Sequence, residues 1–419
     1  MNTSSRERVD VRGEVTVRRL TGAIVRRRLR RHLVTIDGLQ HLPTSGPFVL
    51  VPNHRSYFDH FVMELLVNAT VGRPVWFLTK KESFDAYVSR LWTRAWYGIP
   101  VDRDRPSPET LRAVQRVFAA GEVLCVYPEG TRNATDEMLP FQAGAFRFAL
   151  SAGTPVIPVA MVGTETVLPK GSRRFRDDGR VHLVIGEPIL PDLTAGKQRA
   201  ASELALSTRG AIVAQLEAAA KNARDAERPE LVVGAAHAVD ELITAALSAD
   251  GRLAASDRRR LEFVVSLLQR MERHPVHLET QRIRLSGLAI SNLSAALRVL
   301  PALRMRSRLD RVLARDPEHA VANYLRGRWC LAMPSALGGG RARAEAAFVV
   351  SARNADRGDT RALAGLAELY LAEGRIDEAR ANLELIARAP VRAGSRGEAR
   401  VDRARRQLEA LEPTAEVGA

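Results

Sequence analysis

PFVLVPNHRSYFDHFVMELLV, residues 47–67, changes character in its middle. The first half is a short apolar run that stops at Pro52 and Asn53, a turn signal. The second half, from Ser56 on, repeats its apolar residues at helical spacing. A buried strand that turns directly into a helix is the opening unit of an α/β layer. The pattern recurs down the chain. VTIDGL (34–39), PVWFLTK (74–80), VLCVYPE (123–129), TPVIPVAMVG (154–163) and VHLVIGEPI (181–189) read as further strands. ETLRAVQRVFAAGE (109–122) and AFRFALSAG (145–153) read as helices between them. Continuous apolar runs, rather than alternating ones, predict a mixed, largely buried sheet over 34–221. One long helix, KQRAASELALSTRGAIVAQLEAAAK, closes that domain.

Beyond it, NARDAERPEL (222–231) reads as a linker, and the strand signal ends. Residues 232–312 predict a helical module. From 313 the chain forms a helical-repeat domain running to 419. In TRALAGLAELYLAEGRIDEARANLELIARAP (360–390), Leu366, Ala367 and Tyr370 line one helix, Gly374 breaks it, and Ala379, Leu383 and Ile386 line the next. That arrangement resembles a tetratricopeptide-type helical hairpin. The expected architecture is thus α/β followed by all-α.

The net charge is +15, and of 63 basic residues only five are Lys, so 58 are Arg. Arg spread through every segment beside abundant Ala fits a GC-rich coding bias as well as a functional basic surface. Nucleic-acid motifs and aromatic residues interleaved with the basic ones are missing, so no specific nucleic-acid partner is expected. Two cysteines give no disulfide framework and suit a reducing, cytoplasmic compartment. No stretch reaches the roughly 18 apolar residues of a membrane span, so membrane contact is expected to be peripheral, on the inner face of the cell membrane. Residues 1–33 form a basic arm. A helix there would set Val17, Leu20, Ile24 and Leu29 near one side among arginines. It either lies on anionic lipid or packs on its own domain.

His54 and Asp59 stand five positions apart, and so do His32 and Asp37. Spacing alone therefore decides nothing. On a straight helix such residues point about 140° apart. His54 can meet Asp59 only from the turn before the helix, with Asp59 reaching back from its first turns. The carboxylate would then fix the imidazole tautomer and leave the other nitrogen free as a base. Asn53 and Ser56 are placed to hold the turn and cap the helix. His32 and Asp37 bridge the basic arm and the first strand, and read as coincidence.

NHRSYFD (53–59) resembles the first motif of the glycerolipid acyltransferase (PlsC-like) family, which includes the 1-acylglycerol-3-phosphate acyltransferases. Three further blocks follow in family order: GIPVDRD (98–104), VYPEGTRN (126–133) and PVIPVAM (155–161). TKKESF (79–84) is similar to another family stretch. Four ordered blocks cover roughly half the chain. Asn133 stands where Ser is common and Ile99 is aliphatic, both near where an acceptor is chosen.

The resemblance implies transfer of a fatty acyl group from acyl-CoA or acyl carrier protein to a lysophospholipid hydroxyl, most simply that of 1-acylglycerol 3-phosphate. The thioester is a co-substrate, and no cofactor or metal is implied. His54 would act as base and Asp59 would support it. Arg103 and Arg132 would grip the acceptor phosphate with paired donors. Glu129 would order one of these arginines or an acceptor hydroxyl. Gly130 would let backbone approach the ligand, with Thr131 beside it. Lys80, with Lys81, either assists the phosphate and the donor or forms a solvated face. Pro158 would shape the acyl wall. G-x-S-x-G is not present, which argues against an α/β-hydrolase mechanism. LPKGSRRFRD (168–177) either rests on anionic headgroups or is a solvated loop. HPVH (274–277) lacks the companions of a metal site. Other lysolipid acceptors remain open, as does an inactive lipid-binding scaffold whose helical repeats dock a protein partner.

Overall fold

A computed structural model describes residues 3–102, 107–135, 137–172, 174–225, 228–273, 275–391 and 396–411, with backbone alone for 3–11, 295 and 296. Seven strands form one sheet: β1 Leu33–Asp37, β2 Phe48–Pro52, β3 Val75–Lys80, β4 Gly98–Val101, β5 Val123–Cys125, β6 Val156–Val162 and β7 Val181–Ile185. Their order is β1-β7-β6-β2-β5-β3-β4. Every neighbouring pair is parallel except β6 with β7, which is antiparallel, so the sheet is mixed as expected. Six strands fall on the apolar runs. The seventh, β4, is the four-residue GIPV, too short and too broken by Pro100 to read as a strand from pattern alone.

The helices of this part are α1 Thr3–His32, α2 Phe58–Val71, α3 Tyr87–Ala95, α4 Pro108–Ala119, α5 Arg147–Ala152, α6 Thr164–Val167, α7 Lys197–Arg224, α8 Pro229–Ala245 and α9 Ala255–Leu268. Val49 and Val51 of β2, Leu124 of β5 and Ala160 of β6 meet Val114 and Val117 of α4 and Leu204 and Ile212 of α7 in one core. Both faces of β2 are covered, which is why its sequence runs apolar without alternating.

The basic arm is the helix α1, packed in part on α3. Its expected stripe is not one face. Leu29 is buried and Val17 half-buried, but Leu20 and Ile24 are 68% and 58% exposed. Nine residues rotate a straight helix through about half a turn beyond whole turns, which separates Leu20 from Leu29.

The expected linker at 222–231 is also corrected. α7 runs on to Arg224 and α8 begins at Pro229. Residues 1–242 and 259–273 make one compact unit, and 243–258 with 274–419 make the other, so 232–312 is not a single module. The reason is local packing. Val239 of α8 and Leu261 and Val264 of α9 are buried. Arg260 donates to the carbonyls of Ala69 and Thr70 at 3.0 and 2.6 Å, satisfying the end of α2.

The second unit holds α10 His277–Ser291, α11 Ala295–Leu313, α12 Ala320–Ala332, α13 Arg341–Asn354, α14 Arg361–Ala372, α15 Ile376–Ala387 and α16 Arg396–Leu411. The hairpin read from 360–390 is α14 and α15. Gly374 takes φ +74 between them, and the six lining residues are buried. Phe348 of α13 wedges between Gly327 of α12 and Gly365 of α14, where a Cβ would stand 2.5 and 2.9 Å from its ring. Among the described residues, no helix is long and apolar enough to cross a membrane.

Candidate active site

β2, β3, β4 and β5 are parallel, so their carboxyl ends share one edge of the sheet. His54 follows β2, Lys80 ends β3, and Glu129 to Arg132 follow β5. The sheet topology alone therefore brings three sequence-distant blocks to one edge.

Asn53 fixes where β2 stops. Its side chain takes the hydrogen-bonding place of a residue in the ladder, donating to Met161 O at 2.9 Å and accepting from Met161 N at 2.7 Å. The chain then turns, and His54 lies outside α2. Its Nδ1 sits 2.9 Å from Asp59 Oδ2. The same oxygen accepts from the backbone N–H groups of Arg55 and Ser56, each at 2.8 Å. Three donors converge on one carboxylate oxygen at the positive end of a helix. Ser56 holds the turn just before that helix: its Oγ accepts from Phe58 N at 2.9 Å and donates to Leu168 O at 2.6 Å. A carboxylate only accepts, so Nδ1 carries the proton and Nε2 presents a lone pair. The His54 side chain is 17% exposed, enough for Nε2 to meet a substrate.

Tyr127 covers one side of the imidazole, with ring centroids 4.0 Å apart and 25° between planes. Burial pushes its phenol well above the ordinary range, so the ring stays neutral. A neutral aromatic face favours a positive charge laid against it.

Glu129 is buried, and both carboxylate oxygens point inward. Oε1 accepts from His54 N at 2.8 Å and Oε2 from Leu139 N at 3.3 Å. It holds the histidine turn. Among the described residues it does not pair with Arg132, and Arg103, the other arginine it is expected to order, lies outside them. Gly130 takes φ +69, and a Cβ there would stand 2.8 Å from Gln142 Nε2. Thr131 is exposed beside it. Asn133 binds inward too. Its N–H donates to His54 O at 2.7 Å, and its side chain closes a turn with Thr135 and Glu137.

Arg132 lies 3.5 Å over the ring of Tyr57. Its Nη1 is buried with no hydrogen-bond partner among the described residues. An unsatisfied buried cationic N–H is expensive, and an anion would relieve it. Lys170 of the basic loop donates to Arg132 O at 2.9 Å. Arg103 lies outside the described residues, as do Arg173 of the basic loop and His274 of HPVH. Lys80 is exposed. Pro158 is buried inside β6, level with Val51, several residues back from the histidine.

Four residues escaped the sequence reading. Tyr57 and Tyr127 sit inside the motifs, and their aromatic character beside a candidate base and a candidate anion grip was the available signal. On α2, Glu64 is buried and His60 half-buried. His60 Nε2 lies 3.0 Å from Trp96 O and its ring stacks on Phe77 at 3.6 Å. Burial holds its pKa down at about 4, so it stays neutral at neutral pH. Glu64 accepts from Val75 N at 2.9 Å, and burial pushes its carboxyl up to about 8.

Residues 33–162 match the acyltransferase family model. This stretch is an acyltransferase-family domain. A chloroplastic 1-acyl-sn-glycerol-3-phosphate acyltransferase of Brassica napus is 32% identical over 158 residues, covering 37% of this chain and 44% of that protein. The mouse 1-acyl-sn-glycerol-3-phosphate acyltransferase alpha is 32% identical over 160 residues, 37% of this chain and 54% of that protein. That of Bacillus subtilis is 26% identical over 156 residues, 37% of this chain and 73% of that protein. The chain thus spans about half the length of the plant and mouse relatives. A solved structure, the 1-acyl-sn-glycerophosphate acyltransferase PlsC of Thermotoga maritima, covers 49% of this chain and 80% of that one at 25% identity and a TM-score of 0.35.

Proposed function

We propose that the chain transfers a fatty acyl group from a thioester, acyl-CoA or acyl carrier protein, to the hydroxyl of a lysophospholipid. The first acceptor to try is 1-acylglycerol 3-phosphate, giving phosphatidic acid. One observation carries the reading: an imidazole with Nδ1 tied to a clamped carboxylate at 2.9 Å and its other nitrogen presented outward.

An alcohol is a poor nucleophile at neutral pH, so a base must take its proton as attack begins. His54 Nε2 takes the hydroxyl proton while that oxygen bonds to the thioester carbonyl carbon. The carbon–sulfur bond then breaks, and the imidazolium returns the proton to the departing sulfur. The products are an ester and a free thiol, with His54 restored. Asp59 and Tyr127 steady the transient imidazolium from its edge and its face. Arg132, held over Tyr57, offers its unpaired N–H to the acceptor phosphate, with Thr131 close by. Arg103 would supply a second grip by its place in the second block. Glu129 acts through the histidine turn rather than on substrate. Lys80 would attract the anionic donor, and Pro158 would line the acyl wall.

The lipid acceptor places the protein on an anionic membrane surface, at the inner face in the cytoplasm, and assigns the basic balance to lipid rather than nucleic acid. The helical hairpins of the second unit, read as tetratricopeptide-like, would dock a protein partner.

The test is thiol release from a long-chain acyl-CoA with and without 1-acylglycerol 3-phosphate, repeated with acyl carrier protein and a lysolipid panel. Acceptor-dependent release that drops by about 10³-fold in His54→Ala is expected. Release unchanged by that substitution, or silence with every donor and acceptor, would overturn the reading in favour of a lipid-binding scaffold.

A further inference from the structure

α3 is a nine-residue helix whose apolar side chains, Tyr87, Val88, Leu91, Trp92 and Ala95, fall on one side. Only part of that side is used. Ala95 is buried, and Leu91 meets α1, where a Cβ at Gly13 would stand 3.0 Å from it. Trp92 packs edge-on to Phe61 at 6.1 Å. Yet Tyr87, Val88 and Trp92 remain 54%, 77% and 41% exposed. Three large apolar side chains, two of them aromatic with one polar atom each, stand exposed along one side of the first two turns of a short helix.

Its position is set by topology. β3 and β4 are parallel, so the chain between them must return along the sheet. α3 makes that return. Its first turn, with Tyr87 and Val88, therefore lies at the edge where β3 ends, the edge that holds His54 and Arg132. Lys80 and Lys81 are exposed just before it. Arg90 lies 5.7 Å over the Tyr87 ring. Glu82 and Asp85 are the acidic residues of this stretch, and the balance over residues 80–95 is two positive charges.

We propose that the first turn of α3 is inserted in the headgroup region of an anionic bilayer, with Val88 deepest, Tyr87 and Trp92 at the boundary, and the lysines and Arg90 against the phosphates. Tyr and Trp are the side chains that settle at that boundary, because each has an apolar body and one polar atom. The cations match the sign of the surface. The choice of a bilayer as occupant rests on the lipid-acceptor reading above. A wedge at this edge would let an acceptor reach His54 without leaving the lipid. α1 offers a rival patch at Leu20 and Ile24.

The test uses the full chain and vesicles of phosphatidylcholine, alone or with phosphatidylglycerol. Wild type should float with the anionic vesicles. Val88→Asp should lower that partition by about tenfold, with an unchanged melt and unchanged acyl transfer to detergent-dispersed acceptor. Leu20→Asp should float as wild type does. Brominated lipid should quench tryptophan emission in wild type and not in Trp92→Phe. Wild type that stays in solution, Val88→Asp that floats normally, loss confined to Leu20→Asp, or quenching that survives in Trp92→Phe each overturn the proposal. Flotation needs no turnover. Protein that floats through α3 but makes no ester would sink the acyl-transfer reading alone.

Discussion

Two histidine–aspartate pairs with identical spacing lie 22 residues apart in this chain, and only one is a pair in space. His54 follows a strand and precedes a helix, so the turn folds it back onto Asp59. His32 ends α1 and Asp37 ends β1. Between those two the chain is extended strand, which carries the residues apart. His32 instead sits 2.8 Å from the carbonyl of Gly179. A sequence spacing becomes chemistry only through the backbone that spans it.

The sharpest way to break this comparison is to make matched substitutions. Asp59→Asn should lower acyl transfer by about 10²-fold or more, because an amide can hold Nδ1 in the wrong tautomer. Asp37→Asn should change the rate by less than about twofold. Equal losses, read as kcat/KM per folded molecule, would remove the distinction. A smaller effect is expected at the anion grip. Arg132→Lys keeps the charge but loses the planar stack on Tyr57. It should raise KM for the phosphate-bearing acceptor about tenfold while kcat holds within a few-fold. A loss in kcat alone would move Arg132 from binding to chemistry.

The smallest effect sharpens the picture of α2 itself. Glu64 ionises near 4.5 when unfolded but keeps its proton up to about 8 when folded. Between those values the folded state holds more protons, so stability falls as pH rises. His60, held down to about 4, is neutral when folded but about half protonated at pH 6.5 when unfolded, so it opposes this trend until about a unit higher. Between pH 6.5 and 8 the melting temperature of the wild type should fall with pH relative to that of Glu64→Gln. An unchanged slope in the variant would place the pH dependence elsewhere.

Much of this was legible beforehand, for physical reasons. Buried parallel strands leave long apolar runs, so six of seven were readable, while β4 was too short to show a period. The turn at Asn53 announced itself through its residue types. Glu129 was readable as important but not in its direction, because a carboxylate aimed inward and one aimed at ligand leave the same letter. The stacking of Tyr127 depends on the packing of β5 beside β2, which no local pattern encodes. The linker misled because a charged, Pro-containing stretch also makes a good helix start at Pro229.

His54 is tethered at both of its main-chain groups. Its N–H meets Glu129 and its carbonyl meets the N–H of Asn133, so the stretch from 129 to 133 grips the histidine from both sides. The two loops are one mechanical part made of two sequence fragments. Anyone building a chimaera from this domain must therefore exchange residues 53–59 and 129–133 together. A crossover between them would splice a histidine from one parent into a cradle cut for another.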